Sequence, residues 1–167
     1  MSGDSRRFSL DTNLLVYSVD RAHGVRHELA IEIVDRATER DCFLTLQALS
    51  EFYAVVTRRG MVPPVDAAAQ AEDWLGAFRC CAPSPTAVRV ALSNAVAGCA
   101  SYWDALLVAT AGEAGCTIAL SEDLADGAQL GGLRVYIRSP RRESSASSPA
   151  DCWHSSNSHR STGVPNG

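Results

Sequence analysis

Four carboxylates stand where this chain can least easily tolerate them. Asp11 ends the apolar-leaning run at residues 8–10 and opens a helical stretch, while Glu51 interrupts residues 44–56 beside Phe52, Tyr53, Val55 and Val56. Asp104 heads residues 102–111, which are apolar on almost every face, and Asp123 follows the short apolar run at 116–120. Acids at the ends of buried elements lose hydration and repel one another. Two of them about 4–5 Å apart cost roughly 3–4 kcal/mol at an effective dielectric near 20. A divalent cation is the natural counter-charge, because all fifteen basic residues are arginine and the chain has no lysine. Carboxylate oxygens suit a hard cation, which activates water and polarises a phosphoryl oxygen.

Each acid also has an ordinary reading. Asp11 can cap a helix, and Asp104 fits a capping box with Ser101, three residues before it. Asp123 sits in a turn-like segment, SEDLADG, which also offers Glu122 and Asp126. Glu51 lies at the edge of an apolar helical stripe, flanked by Ala48 and Val55, where a glutamate often reaches to solvent. Singly these readings compete evenly with a functional one. The conjunction favours function, since all four acids fall at corresponding ends of the elements of one sheet.

Those elements can be read from period and punctuation. Strands are expected at 7–10, 42–45, 79–82, 117–120 and 134–137. Helices are expected at 13–17, 23–40, 47–59, 65–78, 86–97 and 101–114, several closed by glycine or opened after proline. Alternating strands and helices imply an α/β sandwich with a mostly parallel central sheet flanked by helices. Ligands of such sheets gather beyond the carboxyl ends of the strands, where Asp11 and Asp123 fall. The helix around Asp104 must be central, because it has almost no polar face.

At 167 residues the chain is expected to hold one domain with a real core, spanning 1–138. From Ser139 onward it becomes rich in Ser, Asn, Gly and Pro, so 139–167 is expected to be a disordered tail. The net charge of −4 advertises no broad basic field. Lacking lysine, the chain cannot form a P-loop. The six cysteines make no C-x-x-C pair and read as buried free thiols. His23 and His27 are four apart, but no third ligand follows and zinc is disfavoured. Residues 1–7 show no apolar signal core, and no stretch approaches the roughly 20 apolar residues of a membrane span, so the cytoplasm is the expected location.

Four segments in order carry a family resemblance: FSLDTNLLVY at 8–17, LSEFY at 49–53, YWDALLVATA at 102–111 and LSEDL at 120–124. Together they resemble PIN-domain ribonucleases, in particular the VapC-type toxins of type II toxin–antitoxin pairs, over about residues 7–137. The resemblance implies a PIN-like three-layer sandwich and an acidic quartet of Asp11, Glu51, Asp104 and Asp123. It pairs Thr12 and Asn13 with the first aspartate and Ser121 with the last acid. It also implies Mg²⁺- or Mn²⁺-dependent cleavage of RNA, possible tRNA substrates, a homodimer, and inhibition by a small antitoxin protein. Within that picture Asp11 and Asp104 are the expected direct metal ligands, and Glu51 and Asp123 act through water. Arg58, seven residues beyond Glu51 on nearly the same helix face, is a candidate phosphate contact. Residues 137–140 replace the Asn-Pro-Phe ending usual in the family, and the long tail has no counterpart.

Two other functions compete. An aspartyl-phosphate phosphohydrolase also opens with an aspartate after a strand, but it wants Asp-x-Asp and a lysine. This chain has Asn13 and no lysine. A non-catalytic RNA- or protein-binding module of the same fold would retain the architecture without turnover.

Overall fold

The structure, a computed structural model, describes residues 6–121 together with the backbone of two later strands, Gln129–Leu130 and Leu133–Tyr136. In chain order the elements are β1 (Phe8–Leu10), α1 (Thr12–Val19), a 3-10 turn at Arg21–His23, α2 (Val25–Thr38), β2 (Cys42–Thr45) and α3 (Leu46–Arg58). They continue with α4 (Pro64–Ala77), β3 (Arg79–Cys81), α5 (Pro85–Val96), α6 (Tyr102–Glu113), β4 (Ile118–Leu120), β5 (Gln129–Leu130) and β6 (Leu133–Tyr136). The strands form one sheet in the order β3-β2-β1-β4-β6-β5, parallel throughout except for the β5–β6 pair. Among the described strands, the short β5 was not expected from the sequence.

Successive residues of a strand point to opposite faces of the sheet. Ser9 and Leu10 are both fully buried, as are Leu44 and Thr45. β1 and β2 are therefore covered on both sides, as a parallel sheet requires. This is the expected α/β arrangement of a mostly parallel sheet between helices. Leu10, Leu15, Leu44, Phe52 and Val56 form the heart of the core, with the Phe52 ring packed edge-on to Trp74 at 4.7 Å. α6 divides its surface. Leu107, Val108 and Ala111 join that core, while Ala105 and Leu106 pack with Ala87 and Ala91 of α5. The absence of a polar face on α6 has this cause.

One expected boundary is wrong. The helix read at 23–40 begins only at Val25, because Gly24 adopts a φ of 51° that a side chain would resist. The Asp20 side chain accepts a bond from the Ala22 N–H and closes a separate turn ahead of it. His23 therefore lies in that turn, 3.3 Å from Asp20 and packed edge-on to Tyr17, whereas His27 bonds the Tyr17 carbonyl at 2.9 Å. The two imidazoles do not share a helix face.

Cys42, Cys80, Cys81 and Cys116 are free thiols, as expected, but only Cys42 and Cys116 are buried, Cys80 and Cys81 being half-buried. Burial raises the pKa values of Cys42, Cys80, Cys81 and Cys116, Cys81 to about 11 and Cys116 to about 12. Among the described residues no helix is long and apolar enough to cross a membrane. The tail at 139–167, with Cys152, lies outside the described residues.

Candidate active site

The carboxyl ends of the parallel strands bring the site together. Leu10 of β1 is in register with Leu120 of β4, and Leu120 with Tyr136 of β6. The next rung is Asp11 beside Ser121. The Asp11 N–H donates to the Leu120 carbonyl at 2.9 Å, continuing the ladder one step past β1. Asp11 occupies the N-cap position of α1, yet its side chain makes no capping bond. Its Oδ2 accepts instead from the Ser121 hydroxyl at 2.7 Å, and both residues are buried. The cap reading of Asp11 is thus met by position but not by side chain.

β2 ends at the same edge. Thr45, its last residue, caps α3 by accepting from the Ala48 N–H at 3.1 Å, so α3 starts without any intervening loop. This short junction places the first two turns of α3, with Gln47 and Glu51, at the edge. Gln47 is buried and Glu51 half-buried. The Gln47 amide nitrogen donates to Glu51 Oε1 at 2.6 Å and to the Trp103 carbonyl at 2.9 Å. α3 is thereby tied to the first turn of α6, which carries Asp104.

Ser101 caps α6 at Asp104, as the spacing suggested, but the Asp104 carboxylate meets the Ser101 hydroxyl rather than the Ser101 N–H of a full capping box. The Asp104 N–H donates to Ser101 Oγ at 3.2 Å, and the Ser101 hydroxyl donates to Asp104 Oδ2 at 2.6 Å. One carboxylate oxygen is engaged locally; the other has no hydrogen bond among the described residues. Neither Glu51 nor Asp104 has an ion-pair partner among the described residues, whose ion pairs lie elsewhere.

Three of the four expected acids therefore sit at one edge of the sheet: Asp11 held by Ser121, and Glu51 and Asp104 on turns joined through Gln47. Asp123, with Glu122 and Asp126, lies outside the described residues. Among the described residues, no three His, Cys, Asp or Glu side chains are gathered closely enough to enclose a metal ion. Mg²⁺ does not need such a cage, since it keeps several waters and takes one or two carboxylates plus substrate oxygens. The donor set, all oxygen and without a competing arginine at Glu51 or Asp104, fits a cation of that kind. Thr12 is buried beside Asp11, and Asn13 is half-buried. Arg58 is exposed at the last position of α3, about 10 Å along the helix axis from Glu51. Gln47 went unnoticed in the sequence. Its only signal was the four-residue spacing from Glu51, which puts two side chains on one helix face.

A cavity of about 740 Å³ adjoins this edge, lined by Phe8, Leu14, Tyr17, Leu29, Ile33 and Leu120, with Ser121 at its margin. It is an apolar space between α1, α2 and the sheet, and it contains neither Glu51 nor Asp104.

An α/β sheet with acids beyond its strand ends is the arrangement of the PIN domain, whose family model matches residues 9–125. The chain belongs to the PIN-domain family. Its fold is similar to that of VapC20 from Mycobacterium tuberculosis, described as a sarcin-ricin loop cleaving toxin, with a TM-score of 0.55, 19% identity, and coverage of 67% of this chain and 86% of that one. It is also similar to VapBC2 from Rickettsia felis bound to a promoter DNA fragment, with a TM-score of 0.58, 12% identity, and coverage of 80% and 99%. DNA-bound VapBC from Salmonella typhimurium gives 0.57, 17% identity, and coverage of 79% and 98%. No curated protein matches the chain significantly in sequence.

Proposed function

We propose that this protein is a Mg²⁺-dependent endoribonuclease, the toxin of a toxin–antitoxin pair, with Mn²⁺ able to substitute. The observation that supports the reading is a PIN-domain sheet with Asp11 at the end of its first strand, and with Glu51 and Asp104 on helices joined by Gln47. Asp11 and Asp104 would hold the cation directly. When bound, it would supply a polarised water and offset the charge of the phosphodiester. Asp11 is kept in place for this by the Ser121 hydroxyl, and Glu51 is held by Gln47 at the turn bearing Asp104. Asp123 is assigned to the same site on the family pattern, with Thr12, Asn13 and Arg58 as substrate contacts.

The fold likeness to a toxin described as cleaving an RNA loop, and to chains solved as toxin–antitoxin complexes, supports an RNA substrate and a cognate antitoxin. A homodimer in the cytoplasm belongs to the same reading. Acids at a narrow edge, without a broad basic surface, can grip a phosphodiester only where the strand reaches them. A single-stranded loop can bend to do so, whereas a stiff A-form duplex presents its backbone at fixed spacing. Loops of structured RNA, tRNA among them, are therefore the proposed targets.

Incubation of the purified protein with total RNA, followed by mapping of new 5′-phosphate ends, tests this. Cuts confined to loops and abolished by EDTA are expected. Cuts spread through paired stems, or equal rates on duplex DNA, would overturn the substrate class. An absence of cleavage under any metal would favour a binding module instead.

A further inference from the structure

Gln47 is more than a filler of the first turn of α3. It is only 7% exposed, and its amide nitrogen has two acceptors, Glu51 Oε1 at 2.6 Å and the Trp103 carbonyl at 2.9 Å. Two acceptors leave no ambiguity about which end of the amide faces them, because both hydrogens of the nitrogen are used. The amide oxygen is left with the remaining direction. It is buried, and it accepts no hydrogen bond from any described residue.

A buried amide oxygen without a partner is uncommon, and where it occurs it calls for a water, an ion or a functional reason. This one belongs to the side chain that grips an acid of the site. We propose that Gln47 is the positioning residue for Glu51 in a hydrated divalent-cation site: its nitrogen holds the carboxylate against the first turn of α6. The inference rests on the metal-dependent reading given above.

The chemistry explains the choice of residue. An arginine at this position would reach Glu51 equally well, but it would neutralise the carboxylate and compete with a cation. A neutral amide fixes the direction of the acid and leaves its negative charge available. The same group links Glu51 to the backbone immediately before Asp104 and so ties the turn of α3 to that of α6. Glu51 makes no other hydrogen bond among the described residues. Without Gln47 its carboxylate would be free to turn toward solvent.

The test uses the full chain and Mn²⁺ as the probe. Gln47→Met keeps the length and volume of the side chain but removes both donor and acceptor. Gln47→Asn keeps the amide but sets it one methylene short of reaching both Glu51 and Trp103. Both variants should bind Mn²⁺ about tenfold more weakly by calorimetry, the loss expected when a partner that orients a metal ligand is removed. Both should lose kcat on RNA by a similar factor, with KM nearly unchanged. The loss of affinity should be markedly smaller when the same changes are made in a Glu51→Ala background, because the part of the effect that passes through Glu51 is then already gone. Wild-type affinity and kcat in both variants would overturn the proposal, as would an equal loss of affinity with and without Glu51. If instead the wild-type protein itself neither binds Mn²⁺ nor cleaves RNA, the metal-nuclease reading falls and the proposal with it.

Discussion

The Ser121 hydroxyl donates to Asp11 Oδ2 at 2.7 Å, across two residues that are 110 apart in the chain and adjacent at the ends of β1 and β4. A hydroxyl is a small, neutral donor that orients a carboxylate without discharging it. Ser121→Ala should therefore lower metal-dependent cleavage by about 10- to 100-fold, while Ser121→Thr retains most of it. A pair of kinetic measurements at saturating Mg²⁺ decides this. An alanine variant with normal activity would mean that Asp11 needs no such support.

Replacing the charge on either expected ligand should separate function from folding. Asp11→Asn and Asp104→Asn are expected to abolish most cleavage while the proteins stay folded, because each keeps its size and one acceptor oxygen for its serine. In the wild type, EDTA should stop cleavage and Mg²⁺ or Mn²⁺ restore it. The same ions should raise the Tm, since they bind only the assembled site. Early melting of both variants with normal cleavage would reduce these acids to structural roles.

Ser101 offers a control in the same turn. Its hydroxyl caps α6 through the Asp104 N–H, so Ser101→Ala should cost about 1 kcal/mol. For a chain of this size that corresponds to a Tm lower by roughly 2–4 °C. Ser101→Asp, which retains a capping oxygen but places a second acid beside Asp104, should recover stability less than Ser101→Thr does. Thermal melts in EDTA read this without interference from metal.

Phe52 tests the core beneath Glu51. It is fully buried and packs edge-on to Trp74. Phe52→Ala should destabilise the fold by about 3–5 kcal/mol, through lost burial and the cavity left behind. Denaturant unfolding at 25 °C would show it as a lower midpoint with an unchanged slope.

Alkaline pH should weaken the fold through its thiols. Folding raises Cys81 to about 11 and Cys116 to about 12 from an ordinary value of 9.0, chiefly by burial. Between pH 9 and 11 the unfolded chain has given up these protons and the folded one has not. Stability is thus fully present below pH 9 and falls as pH rises toward the folded values. A Cys116→Ala variant should show a flatter decline in Tm over that range than the wild type.

Much of this molecule was legible in the sequence because local physics decides it. Glycine, proline and apolar period place β2 at Cys42–Thr45 and bring α3, α5 and α6 within a residue or two of their observed bounds. The cap that Ser101 sets on the Asp104 N–H is a contact over three residues, and spacing alone predicts it. The boundary at Gly24 went astray for an equally local reason. The positive φ of Gly24 breaks the chain there, and the helix starts only after it.

The relations that make a site were not local. That Asp11 would turn from its own helix to Ser121 depends on the registry of β1 with β4, which is set by the packing of the whole sheet. That Gln47 would join Glu51 to the turn of Asp104 depends on how α3 and α6 approach, and Gln47 and Trp103 are 56 residues apart. The sequence determined which acids stand at the ends of which elements. Tertiary structure decided which neutral side chains hold them there, because a hydrogen bond is specified by a few ångströms of distance and direction that no residue spacing beyond one helical turn can encode.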